Sequence, residues 1–223
     1  MKKIQLEKKV KYSLKQGSLR NKLKEERSKQ KIYNAVVKTL YNRRSSSFSL
    51  DEIALKIGST KGLIYYYFKS KGDLLYKLNN YFFDFIKESV DPYVINTKLN
   101  SREKLLSIIK SYILTSCEHW KLSSVLWNDF ALGLVTSGQA RAVTRRRRQY
   151  INYISALIND TMQEENIDQV DPKVTALMIF GMISYISTWY KKNGRLSPEE
   201  IANHALKLIS QGILENLSCK YNI

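Results

Sequence analysis

The chain has 223 residues, a formal net charge of +17 and 43% hydrophobic residues, with only three prolines and nine glycines. That is room for one large domain or two modest ones, and the scarcity of breakers and of β-branched alternation favours an all-α fold. Two cysteines, Cys117 and Cys219, suit a reducing, cytoplasmic setting. The basic N-terminus is not followed by an apolar stretch of signal-peptide type. Residues 174–190 are the nearest approach to a membrane span. They are short and interrupted by Thr175, Ser184, Ser187 and Thr188, so a buried core helix is expected and no membrane partner.

The charge is unevenly distributed. Residues 1–31 carry 12 Lys/Arg against 3 Glu, and residues 32–78 carry 8 against 3 acids. The remaining 145 residues carry 17 against 14 and are nearly neutral. A solvated charged surface would not be so lopsided; a basic N-terminal third is the footprint of a polyanion reader joined to something else.

Taken in chain order, residues 1–24 form a basic extension with few large apolar side chains, expected to be disordered or a frayed helix. It either tracks phosphates or serves as an idle solubilising end. The first firm helix is expected from Glu26 to Arg44. Ile32, Ala35, Val36, Thr39 and Leu40 form its stripe, with cations at its C-terminal end. Its role is to pack behind the two short helices that come next, so its stripe is core.

Ser49 then caps a short helix, with Glu52 at the capping-box position. Leu50, Ile53, Ala54 and Ile57 give it one apolar face. Gly58 stands at C′, where a left-handed backbone is least costly without a Cβ. Thr60 caps a second short helix, Lys61 to Phe68. Two helices around such a turn make the geometry that enters a major groove. Tyr65 and Phe68, three apart, read as sharing an inward face, whereas Tyr66 and Tyr67 read as phosphate contacts.

The run Ile53-Ala54, Gly58, Lys61-Gly62, Tyr65-Tyr66-Tyr67-Phe68, Ser70-Lys71, Leu74-Leu75 resembles the DNA-binding domain of the TetR family of transcriptional regulators. The likeness extends from about Ser28 to about Leu78. It differs at Ser59 and Leu63, where the family favours a small apolar and a hydroxyl residue, and these differences bear on the operator sequence. The resemblance implies double-stranded DNA as partner and a DNA-facing set of Ser49, Ser59, Thr60, Lys61, Gly62, Leu63, Tyr65, Tyr66, Tyr67 and Lys71. It divides the chain into the extension (1–24), a helix-turn-helix domain (25–72) and a helical effector-binding and dimerisation domain (73–223).

Ser70 and Asp73 read as cap and third position of a long helix from Lys71 to Val90, with Leu74, Leu75, Leu78, Phe82, Phe85 and Ile86 inward. Asp91-Pro92 is expected to stop it. Helices come next at 102–118, 122–135 and 138–164. Placed on the last of these, Arg141, Arg145 and Arg148 extend a polar face. Arg147 falls on the apolar face with Val143, Tyr150, Ile154, Leu157 and Ile158. A charge there needs a carboxylate such as Asp84, Glu88 or Asp129, or an anionic ligand. Phe82, Phe85, Tyr112, Trp127, Phe130, Tyr150 and Ile154 offer an apolar lining around Arg147 for an effector.

Asp171-Pro172 and Ser197-Pro198-Glu199-Glu200 open two more helices with cap and first-position proline. The first is apolar nearly all round, and Ile201, Ala205, Leu208, Ile209, Gly212 and Ile213 form the stripe of the second. Such excess apolar surface implies a homodimer through a twofold four-helix bundle built from about 172–190 and 197–217. Trp189 to Glu200 is similar to the fatty-acid-metabolism branch of TetR-like repressors, which implies an acyl-coenzyme A (acyl-CoA) effector, long-chain by that analogy. Other apolar effectors, or an architectural protein coating DNA without sequence choice, stay open. No Ser-His-Asp, metal or phosphate-loop constellation occurs. His119 and His204 stand alone and Cys117 beside His119 is one isolated pair, so no catalytic residue, metal, cofactor or enzyme activity is expected.

Overall fold

The computed structural model describes residues 2–43, 48–127, 135–167 and 170–213, with side chains described from Arg20 to Gln211. Among these residues the structure is all helical: α1 (Lys2–Arg43), α2 (Leu50–Lys56), α3 (Lys61–Tyr67), α4 (Lys71–Val94), α5 (Ser101–Glu118), α6 (Trp120–Trp127), α7 (Ser137–Glu165), α8 (Pro172–Trp189) and α9 (Pro198–Leu208). A π-helical turn, Ile209–Ile213, succeeds α9. The chain divides into two compact units, Met1–Lys71 and Gly72–Ile223.

The first unit closes around Ile32, Val36, Ile53, Ile64 and Phe68, all without solvent exposure. Tyr33 packs on Phe68 with ring centroids 5.6 Å apart. The turn between α2 and α3 ends in a Schellman motif, with Gly58 N–H donating to Leu55 O (3.1 Å) and Ser59 N–H to Ala54 O (2.9 Å). Gly58 has φ +64°, the left-handed conformation that a Cβ would strain.

In the second unit α5 packs against α6, α7, α8 and α9, and α8 lies against α6 and α7. Ile108, Ile109 and Ile113 of α5 are fully buried and form its axis. Capping boxes at Asn100/Glu103, Thr136/Gln139 and Ser197/Glu200 set the starts of α5, α7 and α9. Asp171 caps α8 by accepting from Lys173 N–H and Val174 N–H. The outward face of α8 is apolar: Val174, Leu177, Met178, Tyr185 and Trp189 are exposed, Met178 by 68%.

Several expectations change. The backbone is helical from Lys2 rather than from Glu26; α1 contains no proline, and its single glycine, Gly17, does not end it. Pro92 lies inside the last turn of α4, which ends at Val94 and not at Val90. A proline there removes one hydrogen bond near a helix end, where the Ile95 N–H still reaches Asp91 O (3.1 Å). Glu52 does not complete a box with Ser49. Its carboxylate takes Arg43 (2.8 Å) and Lys56 (2.8 Å) instead. The Lys56 hydrogen bond, then Arg43, holds it below the usual carboxylate range. Leu208 is exposed, whereas Ile201, Ala205 and Ile209 of the same stripe are buried.

Candidate nucleic-acid interface and effector pocket

In the first unit, the cap decides how α3 is presented. Thr60 accepts Leu63 N–H through its side chain (3.3 Å) and fixes the entry to a helix of seven residues. Burial of Ile64 and Phe68, four apart, turns the opposite surface outward. That surface is Lys61, Gly62, Tyr65 and Tyr66. A Cβ on Gly62 would meet only Thr60 Oγ1, at 3.8 Å, so the backbone there is open to close approach.

Tyr65 is therefore not an inward partner of Phe68. It is 47% exposed, and Ile64 takes the inward place because spacing of four, not three, matches Phe68 here. Tyr66 is 76% exposed and meets Tyr67 edge-on at 4.9 Å. Tyr67 is half-buried beneath Lys29, 5.9 Å from its ring. Lys61 pairs with Asp51 (2.9 Å), which raises its pKa, and lies over the Tyr65 ring at 5.7 Å. Lys71 sits 4.4 Å over the Phe48 ring, and partial burial pushes its pKa down. Leu63 and Ser59 are half-buried and Ser49 is exposed. Lysines, phenols and open backbone are the groups that grip phosphates and approach base edges.

The second unit holds a partly open cavity of about 20 Å³, room for roughly one water. Asn79, Phe82 and Phe83 of α4, Tyr112 of α5, and Ser123, Leu126 and Trp127 of α6 line it. Arg147 of α7 and Phe180 and Ser184 of α8 complete the wall. Asn79, Phe82 and Phe83 share one face by the i, i+3, i+4 rule. Arg147 stands 5.9 Å over the Trp127 ring and forms no ion pair among the described residues. Neither Asp84 nor Glu88, both exposed, serves as its counter-ion, and Asp129 lies outside the described residues.

Asn79 and Ser184, which line the cavity with Arg147, carry buried polar atoms without partners, as does Tyr150 behind it. Asn79 Oδ1, Ser184 Oγ and Tyr150 Oη are buried and unpaired among the described residues. Burial pushes the Tyr112 phenol up, while Ser184 and the Arg147 charge pull the other way. Ser184 is thus close to that phenol without meeting it in hydrogen-bond geometry. Burial raises Tyr150 well above the ordinary tyrosine value.

Of the expected lining, Phe82, Tyr112, Trp127 and Arg147 meet at the cavity. Tyr150 stands behind it, its ring 5.4 Å from Tyr112 and 6.1 Å from Phe180. Phe85 turns away and stacks on His119 at 3.9 Å, and Ile154 is a core residue at 2% exposure. Phe130 lies outside the described residues. Asn79, Phe83, Ser123, Leu126, Phe180 and Ser184 were not anticipated. Asn79 carried the one available signal, a polar residue on the apolar stripe of α4. Arg146 points inward too, donating to Asn80 Oδ1 (2.8 Å) and lying 5.4 Å from the Phe83 ring.

Two family models match. The description "Tetracyclin repressor-like, C-terminal domain" covers residues 98–213 and "Bacterial regulatory proteins, tetR family" covers residues 40–78. The fatty acid metabolism regulator protein of Bacillus subtilis is 26% identical over 208 residues, spanning 86% of this chain and 98% of that protein. The crystal structure of AibR with isovaleryl coenzyme A and operator DNA superposes with a TM-score of 0.72 at 24% identity, covering 81% of this chain and 97% of AibR. The ketosteroid regulator KstR2 of Mycobacterium tuberculosis shares the fold, with a TM-score of 0.73 at 19% identity over 82% of this chain and 93% of its own. Among the described residues no helix is long and apolar enough to cross a membrane. A helix-turn-helix unit, a separate helical unit with an aromatic cavity and two matching domain models covering most of the sequence make this chain a member of the TetR family of bacterial transcriptional regulators, DNA-binding proteins rather than enzymes.

Proposed function

We propose that this regulator is a cytoplasmic homodimeric repressor that holds a pseudo-palindromic operator through α3 and releases it when an acyl-CoA enters the cavity between α4 and α8. In this reading Lys61, the Gly62 backbone and Leu63 face the bases, Leu63 against a thymine methyl, while Tyr66, Tyr67 and Lys71 hold phosphates. Ser49, Ser59, Thr60 and Tyr65 complete the DNA-facing surface. The apolar outward stripe of α8, Val174, Leu177, Met178, Tyr185 and Trp189, supports a second copy as its cover. Two recognition helices would then read half-sites spaced by roughly 34–36 Å.

The observation that carries the effector reading is Arg147, a half-buried guanidinium that forms no ion pair among the described residues and lines an aromatic cavity together with the unpaired Asn79 and Ser184 side chains. The Ser184 hydroxyl can donate to a thioester carbonyl, Asn79 Oδ1 can accept an amide N–H of the pantetheine arm, and an acyl chain would suit Phe82, Phe83, Trp127 and Phe180. The exposed Arg141, Arg145 and Arg148 of the same helix suit the phosphates of a coenzyme A head. A cavity this small must widen to admit an acyl chain, so the ligand has to grip the widened, non-DNA-binding form more tightly than the closed one.

The test is release of operator DNA titrated with acyl-CoAs of increasing chain length, free fatty acid and coenzyme A alone, in wild type and Arg147→Ala. Release by thioesters only, lost in the variant, is the expected result. No release by any acyl thioester would refute the acyl-CoA reading and leave another apolar molecule as effector.

A further inference from the structure

We propose that residues 2–24 are a second DNA-binding element, a helical arm that holds backbone phosphates outside the half-site read by α3. The arm is not a separate tail: α1 runs unbroken from Lys2 to Arg43, so its backbone continues the helix that packs against the recognition helix. Residues 2–24 contain nine Lys/Arg and a single Glu. Arg20 to Lys24 are all exposed, Leu23 included, so the arm leaves the folded core before Glu25.

Where it leaves decides what it meets. The packed part of α1 is oriented by contacts at both ends. Arg43 pairs with Glu52 of α2, whereas Lys29 lies over Tyr67 and Tyr33 packs on Phe68, at the C-terminal end of α3. Continuing N-terminally from Lys29, the arm departs beside Tyr66 and Tyr67, the end of α3 assigned to phosphates. At 1.5 Å per residue a 23-residue helix reaches ~35 Å, about one turn of duplex.

The arm's apolar residues are spread around the helix rather than gathered on one face, and like charges stand three and four residues apart, so it gains little from its own side chains. A polyanion removes that repulsion and releases counterions from the duplex. The arm therefore adds affinity and salt dependence without base choice, which remains with α3.

The experiment uses an operator duplex selected from a random-sequence pool, as the minimal site and with about one helical turn (~10 bp) of arbitrary flank on each side. Full-length protein is compared with a chain lacking residues 2–19, and with Lys8→Gln/Lys9→Gln/Lys11→Gln/Lys15→Gln, which keeps the backbone. Wild type should bind the flanked duplex at least ~10-fold more tightly than the minimal one, and its log K–log salt slope should be steeper by ~3 units or more, at about 0.9 per phosphate. Both variants should lose these gains and select the same operator sequence. Unchanged slope and flank dependence in both variants would overturn the proposal. So would loss of binding to phosphatidylserine vesicles with operator binding intact, which would make the arm a membrane-surface element. The proposal rests on α3 as the reader, and the two fail differently: a wild-type chain that selects no sequence at all would count against α3, not against the arm.

Discussion

The two units leave opposite things unfinished. In the DNA-reading unit the core is closed, and the polar side chains around it largely satisfy one another: Arg43 and Lys56 share Glu52, Lys61 pairs with Asp51, and Lys56 also donates to Thr39 Oγ1 (2.8 Å). The second unit buries Asn79 Oδ1, Ser184 Oγ, Tyr150 Oη and Ser116 Oγ without partners, and exposes Val174, Leu177, Met178, Tyr185 and Trp189. A preformed reader needs to be rigid and complete before it meets its duplex. In the proposed function, the sensing unit uses such polar groups to bind a ligand and such an apolar face to bind a second copy.

The largest break in that contrast should come from the outward face of α8. A Cβ on Gly181 meets nothing within 4 Å, so Gly181→Arg leaves the protomer's own packing intact while placing a charge on the proposed seam. We expect a monomer in ultracentrifugation at micromolar concentration. Operator affinity should fall toward the nonspecific level, by ~10³-fold or more. A Gly181→Arg protein that remains dimeric would move the interface elsewhere.

Removing Phe68, fully buried beneath Tyr33, attacks the finished core instead. Phe68→Ala should cost ~3–5 kcal/mol and abolish operator binding. Thermal melting should then show the first unit unfolding early while the second keeps its own transition.

Ser184→Ala should act in the other direction. It deletes a buried hydroxyl that has no partner, so urea unfolding should show a gain of up to about 1–3 kcal/mol. The same variant should respond less well to the effector. A loss of stability would mean that an ordered water already satisfies this oxygen.

The smallest effect concerns pH. Burial, with Phe85 stacked on it, holds the His119 pKa below its ordinary value, against a weaker opposing pull from Glu118. The unfolded chain, titrating near ~6.5, then takes up the proton first. Stability should therefore fall as pH drops below ~6.5, until the folded value is passed. In His119→Phe this part of the pH dependence of Tm should disappear.

Much of the first unit was legible because its signals are local. Ser49, Gly58 and Thr60 act within a turn of where they stand, and each takes its expected place as N-cap, C′ residue and N-cap. The caps Asn100 and Thr136 and the prolines at 172 and 198 set helix starts in the second unit by the same rules. Tyr65 misled because a seven-residue helix offers barely two turns. Spacing of three and of four are then nearly equivalent, until packing against α1 selects Ile64.

The sequence by itself determined that the chain is helical, where most helices are capped, and that the positive charge lies in its N-terminal third, since all of these depend on residues a few positions apart. Only the tertiary structure decided that Phe82 and Phe83 line a cavity while Phe85 stacks on His119. It alone decided that Arg147 lies over Trp127 with no ion pair among the described residues, and that Asn79 and Ser184, far apart in sequence, line one wall without hydrogen-bond partners there. Helical periodicity states which face of a helix is apolar, but a hydrogen bond or an ion pair depends on atoms brought from other elements to within ~3 Å, and no spacing along one chain segment encodes that distance.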